Sequence, residues 1–335
     1  VYFKILPGLY KQFCKMNRFG NRFRVSIFGE SHGAGLGIVV DGIPSGIPLS
    51  ANDFIADLSR RRPGASGTTS RIEADQINII SGLHNGFTTG SPLCLLFSNE
   101  NTRPSDYEKF RNHPRPGHAD FSSRERFGEH ADLRGGGHHS GRVTIGIVAA
   151  GVIAKRIIEP VSVLSSILEI GGENPWNDAL ERAANKGDSL GGVIECIISD
   201  LPAGIGNPFF DSVESVISHL IFAIPGIRGI EFGDGFAASR MLGSQHNDAI
   251  RNATGKTFKN GSGGINGGIT NGNDIIFRVA VKPTSSISIP QNTFNFDSGR
   301  VEELVVTGRH DTCFALRVPV IVEAAAAVAI ADLLL

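Results

Sequence analysis

Cysteine is scarce in this 335-residue chain: Cys14, Cys94, Cys196 and Cys313 are scattered, with no CxxC pair and no metal-type spacing. That excludes a disulfide-stapled secreted scaffold and predicts buried, reduced thiols in a cytoplasmic protein. An excess of either charge is also missing, since Lys+Arg 32 and Asp+Glu 33 leave a net charge of −1. A nucleic-acid binder carries a basic excess, so any basic site here must be a local pocket. No apolar run reaches the ~18 uncharged residues that a membrane span needs. The nearest, Val318 to Leu335, contains Glu323 and Asp332 and is expected as a core helix starting near Pro319. The first fifteen residues lack the continuous apolar stretch and cleavage site of a signal peptide. They show no periodicity, and regular patterning begins after Met16. Residues 1–15 are therefore expected to stand outside a single domain over 16–335, as a start placed too early.

Glycine is abundant instead: 42 residues, or about 13% against a usual ~7%. The chain has neither a collagen period nor a Gly/Ser linker, so the glycines belong to ordered motifs. They supply positive φ angles or let backbone approach a ligand closely. Short Val- and Ile-rich runs predict strands at Phe23 to Phe28, Gly37 to Val40, Ile77 to Ile80, Leu93 to Phe97, Val193 to Ile198, Ile275 to Val281 and Val301 to Thr307. Helices are expected over Ala51 to Arg60, with Ser50 and Asp53 as an acidic capping box, and over Val143 to Glu159, Asp211 to Phe222 and Val320 to Leu333. Val143 to Glu159 has the few charges and many alanines of a fully buried helix. The segment Ile43-Pro44-Ser45-Gly46-Ile47 is echoed by Leu201-Pro202-Ala203-Gly204-Ile205. Each follows a strand and leads into a helix, which suggests two related halves about a pseudo-twofold axis. The fold class is α+β, with helices packed against antiparallel sheets.

Chemistry-bearing residues cluster among the glycines. Phe28-Gly29-Glu30-Ser31-His32-Gly33 puts a histidine in a turn with little expected side-chain cover. Arg60-Arg61-Arg62-Pro63-Gly64 ends a helix, where cations are favoured in any case. Three consecutive arginines cannot share one face, so at least one should be free to reach a phosphate or carboxylate. Arg115-Pro116-Gly117-His118-Ala119-Asp120 is followed by Arg134-Gly135-Gly136-Gly137-His138-His139-Ser140-Gly141-Arg142. The glycine run is expected to aim N–H groups at an anion, and Arg142 lies near the start of the buried helix. Metal binding by these histidines fits no zinc spacing, and neighbouring arginines would repel a cation. Gly233-Asp234-Gly235-Phe236 and Gly261-Ser262-Gly263-Gly264-Ile265 come next. Lys282-Pro283-Thr284-Ser285-Ser286 combines one cation with three hydroxyls as a phosphate grip, and Gly308-Arg309-His310-Asp311 closes the series. The shared implication is an enzyme acting on a small phosphorylated anion.

In this order the motifs resemble the chorismate synthase family, from about Met16 to the C-terminus. The resemblance implies a β-α-β sandwich with internal pseudo-symmetry, assembled as a homotetramer. It implies 1,4-anti-elimination of phosphate from 5-enolpyruvylshikimate-3-phosphate, with reduced FMN required but no net redox change. By match to the family's motifs, His32 would protonate the departing phosphate. His118 would stabilise or protonate the reduced flavin near N1, and Asp311 would relay the proton taken from C6. Ser31, Arg61, Arg115, Arg142 and Arg309 would hold the substrate's anionic groups, with Arg61 instead touching NADP in members that reduce their own flavin. The flavin would lie against His138, His139, Ser140, Gly226, Gly267, Lys282, Pro283, Thr284, Ser285, Ser286 and Arg309. Many members carry Arg-Ser-Ser-Ala-Arg-Glu-Thr where this chain has His138-His139-Ser140-Gly141-Arg142-Val143-Thr144, which removes an arginine contact to the flavin. A further basic position of the family falls near Gly67, for which Arg71 can substitute. The chain stops at Leu335, where many members run on. A separate flavin reductase or the reducing cytoplasm would supply reduced FMN, with no nucleic-acid, membrane or metal partner. A metal-dependent phosphohydrolase and a non-catalytic flavin- or anion-binding protein are the competing classes. Metal content discriminates the first, and retention of His32, His118, Arg309 and Asp311 argues against the second.

Overall fold

The computed structural model describes residues 17–335, apart from residues 72, 103 and 309. The expected extension, residues 1–15, and the candidate ligand Arg309 thus lie outside the described residues. The first sheet contains β1 (Arg18–Phe19), β2 (Arg24–Gly29), β3 (Gly35–Asp41), β4 (Ile77–Ser81) and β7 (Leu93–Ser98), in the order β1-β2-β3-β7-β4. A short hairpin, β5 (Leu83–His84) and β6 (Phe87–Thr88), interrupts it in sequence. The second sheet contains β8 (Ser162–Ile170), β9 (Gly192–Ser199), β10 (Ile227–Phe232) and β13 (Ile275–Val281), in the order β10-β13-β9-β8. A second short hairpin, β11 (Ile265–Asn266) and β12 (Ile269–Thr270), precedes β13. All these pairings are antiparallel, and a separate hairpin joins β14 (Gln291–Asn295) to β15 (Arg300–Leu304). The last strand stops short of Thr307, because Val306 leaves the ladder to pack with Phe110 and Leu304 in a small satellite core.

Seven helices are present among the described residues, two of them between the sheets. They are α1 (Ile55–Arg61), α2 (Asp120–Phe127), α3 (Thr144–Ile157), α4 (Asn177–Lys186), α5 (Val213–Ala223), the single turn α6 (Gly243–His246) and α7 (Pro319–Leu334). None is long and apolar enough to cross a membrane. The central pair is α3 and α7, with α3 against β2 and β3 and α7 against β8 and β9. Residues Thr144 through Ala154 of α3 are all buried, as the low charge of that stretch requires. Each Val or Ile enclosed there contributes roughly 1.5–3 kcal/mol. Gly151 permits the close approach of the two helices, since a Cβ there would lie 2.3 Å from that of Ala324.

The two acids that interrupt the apolar C-terminal run are both buried and both partnered. Glu323 accepts a bidentate pair from Arg60 at 2.7 and 2.6 Å, and also bonds Lys155 and Ser165. The Asp332 carboxylate accepts the backbone N–H groups of Asn21, Arg22 and Phe23, tying the start of the first sheet to the last helix. The predicted helix over Ala51 to Arg60 opens with a 3-10 turn, and only half of the capping box forms. Asp53 accepts from the Ser50 backbone at 2.7 Å, while the Ser50 hydroxyl donates to the same carboxylate.

The two similar segments make the same hydrogen bonds. Thr88 Oγ1 donates to Pro44 O and accepts from Ile47 N, at 2.6 and 3.0 Å. Thr270 Oγ1 donates to Pro202 O and accepts from Ile205 N, at 2.6 and 2.9 Å.

Candidate active site

One cavity of about 930 Å³ opens where the loops after β2, α1, β13 and β15 meet the start of α3. Its basic lining is Arg18, Arg61, Arg71, Arg115, Arg142, Arg228, Lys282 and Arg317, against the acids Glu73, Asp75 and Asp311. This imbalance in a chain of net charge −1 is the local basic pocket that the composition required. Ser31, His118, His138, His139, Ser140, Gly226 and residues 282–286 line the same cavity.

His32 stands one layer behind that lining. Contrary to the sparse cover expected for a turn histidine, it is 5% exposed. Its ring meets Tyr107 edge-on at 5.0 Å, and a Cβ on Gly135 would fall 2.1 Å from its Nδ1. Gly135, at φ +59°, is therefore needed for close approach to this ring. The triple-glycine loop does not direct all its N–H groups at an anion, because Gly136 N–H is spent on Leu133 O. Instead it docks on the first loop through Ser31 N–H to Gly137 O, at 3.1 Å.

The two histidines have different hydrogen-bonding partners. Arg71 Nη1 donates to Ser31 Oγ at 2.9 Å, and that oxygen lies 3.3 Å from His32 Nδ1. Since the guanidinium can only donate, the serine proton is available to Nδ1, and neutral His32 then carries its own proton on Nε2. Burial, reinforced by Arg71 and Arg134, lowers His32 to about 4. His118 Nδ1 lies 2.6 Å from Asp120 Oδ1. Arg115 Nη2, which can only donate, lies 3.1 Å from the same nitrogen, but the closer carboxylate takes the Nδ1 proton, which leaves Nε2 of the neutral ring as an acceptor beside Gly136. Burial lowers His118 too, with Asp120 opposing and Arg115 assisting.

The arginines are more heavily engaged than their sequence spacing implied. Arg115 forms a bidentate pair with Asp120 at 2.8 Å and donates to Ser286 Oγ at 3.1 Å. Burial would raise Asp120, but hydrogen bonds from Arg115 and His118 hold its carboxyl far below the ordinary range. None of the three consecutive arginines projects freely. Arg60 is taken by Glu323, Arg61 is buried on Asp75, and Arg62 donates to Ala74 O. The expectation of a free arm fails because Glu323 and Asp75, distant in sequence, meet this turn. Arg61 nevertheless keeps Nε and Nη1 buried without partners. Arg142 is paired with Asp75 and also donates to Asn99 Oδ1.

Asp311 accepts from Thr69 N–H at 2.8 Å and from Arg317 Nη1 at 3.2 Å, while Arg317 Nε donates to Arg61 O. Lys282 Nζ donates to Gly117 O at 2.7 Å and to Ser285 Oγ. Of the three hydroxyls that follow it, Ser285 and Ser286 are engaged, and Thr284 Oγ1 is buried without a partner. His138 Nδ1 lies 2.8 Å from Gly29 O.

Gly267 is not brought to the cavity. It sits in the β11–β12 turn that leads into the start of β13, whereas Lys282 follows the end of that strand. Seven residues of strand separate the two ends by about 20 Å. The GDGF segment belongs to the same remote end, where Asp234 bonds His246. Several lining residues went unnoticed in the sequence, namely Glu73, Asp75, Tyr107, Arg228 and Arg317. The alternation in Arg71-Ile72-Glu73-Ala74-Asp75 was the available signal, since charges at every second position of an extended segment share one face.

One buried and two partly buried histidines predict an acid-sensitive fold. His32, His118 and His310 all have pKa values lowered by burial from an ordinary 6.5. The unfolded chain therefore binds more protons, and stability present above about 6.5 is lost as pH falls toward about 4. Urea midpoints should drop across that window, and less steeply in His32→Gln. A flat or rising midpoint between pH 6.5 and 5 would refute this.

A family model described as chorismate synthase matches residues 23–335. A chorismate synthase of Chitinophaga pinensis is 57% identical over 321 residues, covering 96% of this chain and 97% of that protein. One from Korarchaeum cryptofilum is 44% identical, covering 94% and 96%. A solved crystal structure of chorismate synthase superposes with a TM-score of 0.74 at 26% identity, covering 94% of this chain and 92% of that one.

Proposed function

Because this chain belongs to the chorismate synthase family, we propose that the cavity at the start of α3 is where its own residues carry the family's reaction. That reaction is the 1,4-anti-elimination of phosphate from 5-enolpyruvylshikimate-3-phosphate, a carbon–oxygen lyase step that yields chorismate. The observation that carries the assignment is the convergence of Ser31, Arg61, His118, Arg142 and Asp311, remote in sequence, on one cationic cavity.

The substrate brings a phosphate and two carboxylates. Arg61 offers its two unpartnered donors, and Arg142 and Arg71 flank it with fixed positive charge. Held in place before substrate arrives, these cations stabilise charge developing on the leaving phosphate without reorganising. His32, as the imidazolium, donates a proton toward that phosphate and returns to the neutral ring. A bound dianion also favours its imidazolium and raises its pKa from about 4. Asp311 accepts the proton released from C6, held in position by Thr69 and Arg317. Arg115 acts on Asp120 and on His118 beside it, more than on substrate directly.

Reduced FMN, which the family requires, would supply electron density transiently as phosphate leaves. The residues here fit it. Thr284 Oγ1 is a buried orphan beside Lys282, and the cavity has room for a second ligand. Lys282, Pro283, Thr284, Ser285, Ser286, Gly226 and the His138-His139-Ser140 segment would hold it. His118 lines the same cavity, and the remote Gly267 has no part in this reading within one chain. Lys282→Ala should weaken FMN by roughly 1–3 kcal/mol, the scale of a charge-assisted hydrogen bond. Equal FMN affinity in variant and parent would reduce the 282–286 segment to a turn.

The two halves are proposed to be duplicates about a pseudo-twofold axis, on the strength of the matched Thr88 and Thr270 hydrogen bonds. A homotetramer is proposed from membership of the family, and the exposed Phe209 and Phe210, at 87% and 92%, are offered as part of a contact between copies. The decisive assay is anaerobic chorismate formation from the enolpyruvyl substrate with reduced FMN. Phosphate release at the same rate with oxidised FMN, or with none, would overturn the reading.

A further inference from the structure

Asp75 is a buried non-glycine residue with a left-handed backbone, φ 52°. Such a conformation persists only where surrounding contacts fix it. Here the contacts are guanidinium groups. Asp75 Oδ2 accepts from Arg61 Nη2 at 2.9 Å, Oδ1 pairs with Arg142 Nη1, and Arg62 Nε lies 3.5 Å away. Glu73 and Asp75 are buried while Ala74 and Gln76 are exposed, so this segment turns both carboxylates inward. Glu73 holds Arg71 in the same manner, at 2.7 Å.

We infer that Asp75 is the positioning residue that holds Arg61 and Arg142 side by side as the two arms that grip the substrate's anionic groups. Without the shared carboxylate these two cations would repel each other and splay. With it, each is oriented through one nitrogen. Arg61 still has two buried donors, Nε and Nη1, with no partner within the protein. Burial would raise the Asp75 pKa, but the two arginines outweigh burial and keep it ionised.

The inference rests on the reading of Arg61 and Arg142 as substrate ligands, and the test separates the two. KM and kcat would be measured with the enolpyruvyl substrate, alongside oxidised-FMN affinity, for Asp75→Asn, Asp75→Glu, Arg142→Gln and Asp75→Asn/Arg142→Gln. Asp75→Asn is expected to raise KM about 10- to 100-fold, the loss of a buried charge-assisted contact, with FMN affinity within about threefold of the parent. Asp75→Glu keeps the charge but misplaces it, and should give a smaller rise. It also decides the question if Asp75→Asn fails to fold, since an unchanged KM in Asp75→Glu would then overturn the assignment. Adding Asp75→Asn to Arg142→Gln should cost much less than it does alone. Fully multiplicative losses would mean that Asp75 acts independently of Arg142, and would overturn the inference. A raised KM in Arg142→Gln with an unchanged KM in Asp75→Asn overturns the role of Asp75 specifically. An unchanged KM in Arg142→Gln removes the reading beneath it.

Discussion

His32→Ala should slow phosphate loss by about 10²–10⁴-fold, the usual contribution of a positioned acid, while FMN affinity stays near that of the parent. The expectation follows from where the ring sits. His32 is enclosed by Tyr107, Gly135 and Ser31, outside the lining that would meet the flavin. In the substrate-free protein it is neutral at pH 7, because burial with Arg71 and Arg134 nearby lowers it to about 4. A dianionic phosphate reverses that balance by placing negative charge beside the ring. Binding at pH 7 should therefore take up protons, read from calorimetry in buffers of different ionisation heat. Proton uptake that is identical in parent and variant would remove His32 from the proton path.

The second large effect is expected at Asp120. Its carboxylate accepts the Nδ1 proton of His118 and so keeps Nε2 as the acceptor. Asp120→Asn permits the opposite tautomer, and tautomer errors of this kind cost up to about 10⁴ in kcat where a carboxylate–histidine pair has been tested. We expect a fall in kcat of about 10²–10⁴-fold. The same substitution on a His118→Ala background should add little, because the two residues act as one unit. Independent losses would instead mean that Asp120 works mainly by holding Arg115, its other partner at 2.8 Å.

Chelation offers a simpler discrimination. A metal hydrolase built on these histidines would lose activity to chelator and ignore reduced FMN, whereas a chorismate-forming lyase behaves in the opposite way. Among the described residues, no group of three or more His, Cys, Asp or Glu converges as a metal site.

The amino-acid sequence by itself determined the α+β class, the buried helices α3 and α7, and the family. Each of these depends on local periodicity or on contiguous motifs such as Arg115-Pro116-Gly117-His118. It also marked His118, Arg142 and residues 282–286, which do reach one cavity. What it could not assign was the partner of each charge. Arg60 meets Glu323 and Arg317 meets Asp311 and Arg61, contacts set by how α1, α7 and the loop between β15 and α7 cross in space. The enclosure of His32 arises likewise from a glycine loop about a hundred positions away in sequence, and Gly267 is carried off by the length of one strand. Which residues carry chemistry was written in local chemical character. Which charges are spent on one another was decided by tertiary packing, because a buried ion must find its counter-ion wherever the fold brings one within about 4 Å.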